Sequence, residues 1–200
     1  MPNITRKLVT KQTSILESAV ALFAERGFAA TEMDAIAAAA GVAKGTVYHH
    51  FKSKEDLFLA AAARTVAELR EFIFETIACI DDPVAVIRTA CRAVARYSQK
   101  HPDAVELFVQ QRAVFRDNSP LMLLIAGRDE VQPYFVDVVR RGITAGVFRD
   151  VDPEEPVRAI SNMLYGLVVS SFLEGAAEKL VTRADLHVGL ILDGLMKRSD

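Results

Sequence analysis

Two of the four histidines in this 200-residue sequence, His49 and His50, stand side by side in the stretch KGTVYHHF (44–51). Lys44 opens that stretch, and Lys52 and Lys54 follow it. Imidazoles can bind a metal, move a proton or, with lysines, hold a phosphate. The first two chemistries need more than these residues offer. A helix presents two ligands to one metal from positions i and i+4, whereas adjacent side chains point about 100° apart. No cysteine or acid stands nearby at ligand spacing, so no metal site is expected. A histidine pair without a nucleophile makes no catalytic site, and no catalytic residue or cofactor is expected. The sequence also lacks G-x-G-x-x-G, the P-loop, H-E-x-x-H and a nucleophile elbow. Two readings remain: a surface that touches a polyanion, and a solvated polar face with no partner.

Helical phase separates the two histidines. With Val47 set toward a core, Phe51 lies near 40° and stays with it, while Thr46 and Tyr48 flank the core at about 100° on either side. Gly45 and His49 point outward, and His50 falls at the edge of the core, near −60°. The outward face then carries Lys44, Gly45, Thr46, Tyr48 and His49. Their donors suit phosphates or base edges, and glycine permits close approach. The helix begins just after Gly41-Val42, so its positive end also favours phosphate.

The preceding residues position that face. Ile15, Ala19, Leu22 and Phe23 recur at helical spacing over 10–26, and Glu25-Arg26-Gly27 is a stop. Thr31 is expected to cap a second helix, 32–40, whose inward residues are Met33, Ile36, Ala37 and Ala40. Gly41 suits the left-handed turn between the second helix and the third, 43–51. Ala37, four residues before it, keeps the two helices close. Two short helices joined at a glycine, the second polar on its exposed face, form a helix-turn-helix pattern.

The stretch TEMDAIAAAAGVAKGTVYHHFKSKEDLF resembles the DNA-binding domain of the TetR family of bacterial transcriptional regulators. The matching residues are the opening Thr31, the A-x-x-A-G-V turn and K-G-T-V-Y-x-H-F-x-S-K-E-D-L, within a similarity covering 14–59. The resemblance implies phosphate contacts from the hydroxyls of Thr31 and Thr46 and from Lys54. It places Tyr48 and His49 on backbone or base edges, Lys44 and Gly45 at the groove, and His50 partly inward. Arg6, Lys7 and Lys11 could form a basic arm.

The rest of the chain reads as helix. The sequence is 51% hydrophobic, has no Trp and only 7 Pro, and shows no sustained alternation, so no sheet is expected. Ser53 caps a long fourth helix to about residue 80. Further helices follow over 83–100, 102–116, 120–145 (kinked or split at Pro133), 154–175 and 183–197. The expected fold class is all-α, about nine helices: a three-helix DNA-binding domain over 1–54 and a ligand-binding and dimerisation domain over 55–200. Charge follows the same division. Residues 1–54 carry 7 Lys/Arg against 4 Asp/Glu, and residues 55–200 carry 17 against 22, so +3 faces −5. Cys79 and Cys91 form no C-x-x-C pair, there is no signal-peptide pattern, and no apolar run is long enough to span a bilayer. A cytoplasmic protein without membrane attachment is expected.

Phe108, Gln111, Arg112 and Phe115 share one face of the sixth helix. They could line a pocket with Met122, Ile125, Tyr134 and Val138, closed by Asn162 and Tyr165. Equally, Arg112 could make a buried salt bridge with Glu106, Asp117 or Asp137. The eighth helix is apolar nearly all round. The resemblance implies a homodimer through the last two helices, using Ile160, Leu164, Leu167, Val168 and Ser171 with Leu186, Leu190 and Leu195; ordinary intrachain core is the alternative. The expected function is a ligand-responsive repressor, released from a palindromic double-stranded DNA operator by a small-molecule effector. An activator, a corepressor-dependent regulator, an all-helical cytosolic enzyme and a nucleoid-type DNA protein are the other readings.

Overall fold

A computed structural model describes the backbone of residues 10–114 and 131–197, and their side chains apart from 111–114. Among the described residues there are nine α-helices: α1 (Lys11–Ala30), α2 (Met33–Ala39), α3 (Lys44–His50), α4 (Lys54–Ile77), α5 (Pro83–Lys100), α6 (Pro102–Val114), α7 (Val131–Thr144), α8 (Glu154–Leu173) and α9 (Leu180–Leu195). A short 3-10 turn, Ala177–Lys179, precedes α9. The all-α expectation holds. The described residues contain no strand, only an isolated antiparallel bridge between Phe148 and Met196 that ties the α7–α8 loop to the end of α9.

Most helix boundaries have a local cause. Thr10 Oγ1 accepts from the Thr13 amide, Ser53 Oγ from the Asp56 amide and Asp82 Oδ2 from the Ala85 amide, each satisfying a free donor at a helix start. Pro83 occupies the first position of α5, where no amide is needed. Gly27 breaks α1 with φ 79°, and one further turn carries the chain to Ala30. Pro133 falls in the first described turn of α7, so no kink within that helix results. Residues 115–130 lie outside the described residues.

Two larger clusters of side chains hold these helices, and they divide α4 between them. The first joins Ile15, Ala19 and Phe23 of α1 to Ile36 and Ala37 of α2, Val47 of α3 and Leu57, Phe58 and Ala61 of α4. The rings of Phe23, Phe28 and Phe58 meet within it at centroid distances of 5.0 to 5.9 Å. The second begins lower on α4, at Ile73 and Ile77, and takes in α5, α7, α8 and α9. Leu107 of α6 is fully buried and belongs to the first cluster, because α6 packs chiefly on α1.

Arg64 locks this junction from the polar side. Its guanidinium reaches Glu17 Oε1 of α1 at 2.8 Å, Glu68 Oε1 of α4 at 2.7 Å and the Thr13 carbonyl at 3.0 Å. Tyr97 of α5 donates to the Thr65 carbonyl, and its ring stacks on His101 at 4.3 Å. Burial, followed by the nearby Glu68 charge, pushes the Tyr97 hydroxyl up to about 12. Arg64→Ala should lower stability by about 1 kcal/mol, because both carboxylates keep access to water. Thermal unfolding would then fall by about 2–4 °C. An unchanged midpoint would show that the three contacts contribute nothing net.

Candidate nucleic-acid interface and effector cavity

The turn between α2 and α3 sets the exposed face. Gly41 has φ 65°, the Val42 amide donates to the Ala37 carbonyl at 3.0 Å, and the Gly41 amide donates to the Ala38 carbonyl at 3.1 Å. This doubly bonded turn ends α2 and aims α3 away from it at once. Ala37 is buried at the crossing, and Val47 is the buried anchor of α3. Lys44, Gly45, Tyr48 and His49 lie outward as the helical phase predicts, with Thr46 half-buried and Tyr48 45% exposed.

Three expectations on this face need correction. Thr31 neither caps α2 nor offers its hydroxyl outward. Glu32 takes the N-cap position without a side-chain bond, while Thr31 is 1% exposed. Its hydroxyl sits within 2.7 Å of the Gly27 carbonyl and 3.1 Å of the Leu22 carbonyl, so it bonds the end of α1 from within. Lys54 turns inward too: its ammonium donates to the Ala29 and Thr31 carbonyls at 3.1 Å and lies 4.6 Å from the Phe28 ring centre. His50 is exposed instead of sitting at the edge of the core, with its ring 5.4 Å from His49 and 6.2 Å from Phe51.

Beyond the first three helices lies an apolar cavity of about 220 Å³. Its walls come from α4, α5, α6, α7 and α8, and include Leu69, Ile73, Val94, Phe108, Phe135 and Leu164. Arg70 is the one charged side chain among the described lining residues, and Ser98, Ser161 and Tyr165 add hydroxyls. Cys91 lines it as well, its thiol pushed up to about 12 by burial. The expected residues Phe108 and Tyr165 are in this wall. Tyr134, Val138 and Asn162 are not: Val138 is buried in the main core, Tyr134 packs on Phe74, and Asn162 is exposed. Their neighbours Phe135, Val139 and Ser161 line the cavity instead. Phe115, Met122 and Ile125, with the side chains of Gln111 and Arg112, lie outside the described residues. Asp137 pairs with Arg140 and Arg141 at the surface.

The faces expected to meet a second copy divide. Leu186 and Leu190, one turn apart on α9, are 61% and 65% exposed, and Leu173 at the end of α8 is 75% exposed. Ile160, Leu167, Ser171 and Leu195 are buried within the chain, and Leu164 and Val168 face the cavity, so these six serve the intrachain core. The outward stripe of α8 is Asn162, Gly166, Ser170 and Leu173, with Ser170 half-buried; half-buried Val169 lines the cavity. Among the described residues no group of acids, histidines or cysteines could hold a metal, and no helix is long and apolar enough to cross a membrane.

Residues 15–61 match the family model of bacterial regulatory proteins of the tetR family, and residues 81–169 match a tetracyclin repressor-like C-terminal domain. The crystal structure of the TetR-family regulator PfmR from Thermus thermophilus is 30% identical, covers 94% of this chain and 99% of its own, and superposes with a TM-score of 0.74. The chain belongs to the TetR family. It is a ligand-responsive DNA-binding transcriptional regulator, not an enzyme. The transcriptional repressor KstR2 of Rhodococcus jostii is 27% identical over 92% of this chain and 91% of its own. The fatty acid degradation regulator FadR from Bacillus halodurans shares the fold, with a TM-score of 0.81 at 19% identity over 96% of this chain and 100% of its own.

In this TetR-family regulator, Gly41 is the residue that holds the DNA-binding motif in shape. A Cβ there would meet nothing within 4 Å, so the cost of Gly41→Ala is that of its positive φ alone. The variant should lose about 1–2 kcal/mol, which thermal or urea unfolding would measure. A loss much larger than that would point to a steric role the turn does not show.

Proposed function

We propose that this regulator is a homodimeric repressor that leaves a palindromic operator when an apolar effector fills the cavity of its body. The exposed row Lys44, Gly45, Tyr48 and His49, held outward by the Gly41 turn, carries the reading. In it, α1–α3 form the DNA-binding head, residues 1–54, and residues 55–200 form the effector and dimerisation body. Thr46 and His50 add donors at the edges of the row. One seven-residue helix reads few base pairs, so specificity calls for two of them about 34–36 Å apart in successive major grooves. The named repressor relative supports repression as the output.

The effector is an apolar molecule with few polar groups. The walls offer aliphatic and aromatic side chains, with polarity confined to Arg70, Ser98, Ser161 and Tyr165. A structural neighbour named for fatty acid degradation fits that chemistry. Filling the cavity presses on α4 and α6, which both also pack against α1 of the head. Release follows only if the effector binds the released form more tightly, and the operator must then weaken effector binding by the same factor.

The dimer forms through the outward stripe of α8, with Leu173, and through Leu186 and Leu190 of α9. Burying each such side chain gives about 1.5–3 kcal/mol. The double variant Leu186→Glu/Leu190→Glu should sediment as a monomer and bind a full operator at least tenfold more weakly; a dimer of unchanged mass would overturn this interface. Tyr48→Ala should cost operator affinity about 1–3 kcal/mol while leaving the dimer intact. Unaltered binding, measured by fluorescence anisotropy on a selected operator duplex, would refute α3 as the reading helix.

A further inference from the structure

An acid stands on the proposed reading face. Asp34, in the first turn of α2, holds the Lys44 ammonium at 2.8 Å from Oδ1 and 3.0 Å from Oδ2. Both side chains are more than half exposed. The hydrogen bond from Lys44 to Asp34, and then the Asp34 charge, raise the lysine pKa above its ordinary value. The pair is not needed to set the angle between α2 and α3. Ile36, Ala37 and Val47 are buried at that crossing, and the backbone bonds at Gly41 and Val42 already fix the turn. Toward a phosphate backbone, a carboxylate is unfavourable twice over: it repels the phosphate, and it occupies the cation that would have neutralised it.

We propose that Asp34 is a specificity-determining residue, withholding Lys44 from sequence-independent contact with DNA. The inference rests on the reading of α3 as a DNA-contacting helix. Binding to random DNA draws almost wholly on the number of phosphates neutralised, so one withheld lysine removes one contact from that sum. In such a mobile complex, no phosphate stays beside Lys44 long enough to replace a carboxylate already 2.8 Å away. On the operator, Tyr48 and His49 fix the register and hold one phosphate in reach. An exposed ion pair is worth little, so Lys44 can then exchange its partner at small cost. The pair therefore costs random DNA more than it costs the operator.

Asp34→Asn keeps the shape and removes the charge. Anisotropy titrations of the full-length dimer against an operator duplex selected from a random pool, and against a scrambled duplex, would be run at several salt concentrations. The expected result is about tenfold tighter binding to the scrambled duplex, with a salt slope steeper by about 1.8, about 0.9 for the lysine freed in each protomer. Operator affinity should change by less than about threefold, so the ratio between the two duplexes falls. Lys44→Ala should weaken operator binding, and adding Asp34→Asn to it should give only the smaller gain from relieved repulsion, about twofold and the same on both duplexes. An unchanged ratio in Asp34→Asn, with Lys44→Ala still harmful, overturns the proposal alone. So does a fall in both affinities accompanied by a lower melting temperature, which marks a structural strut. If Lys44→Ala and Tyr48→Ala leave every duplex unaffected, the reading of α3 fails and the proposal fails with it.

Discussion

Leu107 has no exposed surface, and its neighbours in the core are residues of α1 to α4. One position along α6, Phe108 packs against the same core and also lines the cavity, and Val105 one turn back lines it too. A single turn of helix thus has Leu107 set in the core of the head, Val105 in the cavity wall, and Phe108 in contact with both. Protein interiors are packed like crystals and do not yield continuously. On the proposed function, an occupant that moves the backbone at Phe108 also moves Leu107, and so shifts α6 against α1. The long helix α4 makes a second link of the same kind, with Leu57 to Ala62 in one core and Ile73 and Ile77 in the other. Arg64 stands between those two segments and grips α1 from the polar side.

The reading face depends on that packing more than on its own sequence. The helices α2 and α3 have seven residues each, too short to persist alone in water. They exist because Ile36, Ala37 and Val47 are buried against α1 and α4 and because Gly41 closes the turn between them. Once those positions are filled, the outward residues carry no structural duty. Lys44, Gly45, Tyr48 and His49 can then be set by what they contact. Thr31 and Lys54 show the opposite arrangement. Both are polar and next to the motif, yet both donate to backbone carbonyls of α1 and of the α1–α2 corner.

Legibility in the sequence followed the range of the interaction responsible. Caps and turns are local, so Ser53, Asp82, Pro83 and Gly41 marked their boundaries within a residue or two. The phase of α3 was legible because one apolar anchor, Val47, sits among polar neighbours. On α8, apolar nearly all round, no broad polar face fixes the rotation, and a shift of one residue turns the choice by about 100°. On α7 the polar face of Asp137, Arg140 and Arg141 shows which side is buried, but not which buried residues meet the core and which the cavity. Hence Tyr134, Val138 and Asn162 gave way to Phe135, Val139 and Ser161 in the cavity wall. The same ambiguity affected α9, where Leu186 and Leu190 face outward and Leu195 faces the core. His50 was misplaced for a different reason: α3 ends there, and no neighbouring element among the described residues covers its flank.

Magnitudes decide whether so apolar a cavity can drive release. An effector that hides about 200 Å² of apolar surface gains about 5 kcal/mol from that burial alone. A hundredfold change in operator affinity needs a coupling of about 2.7 kcal/mol, within the usual range for linked sites. About half of the burial energy must therefore be available only in the released form. Specific polar contacts to the effector are not required for this; a cavity that is better filled in one arrangement of α4 and α6 than in the other is enough. On the proposed function, the polar groups of the wall bear on which apolar molecule enters, and the packing around Phe108 carries the coupling.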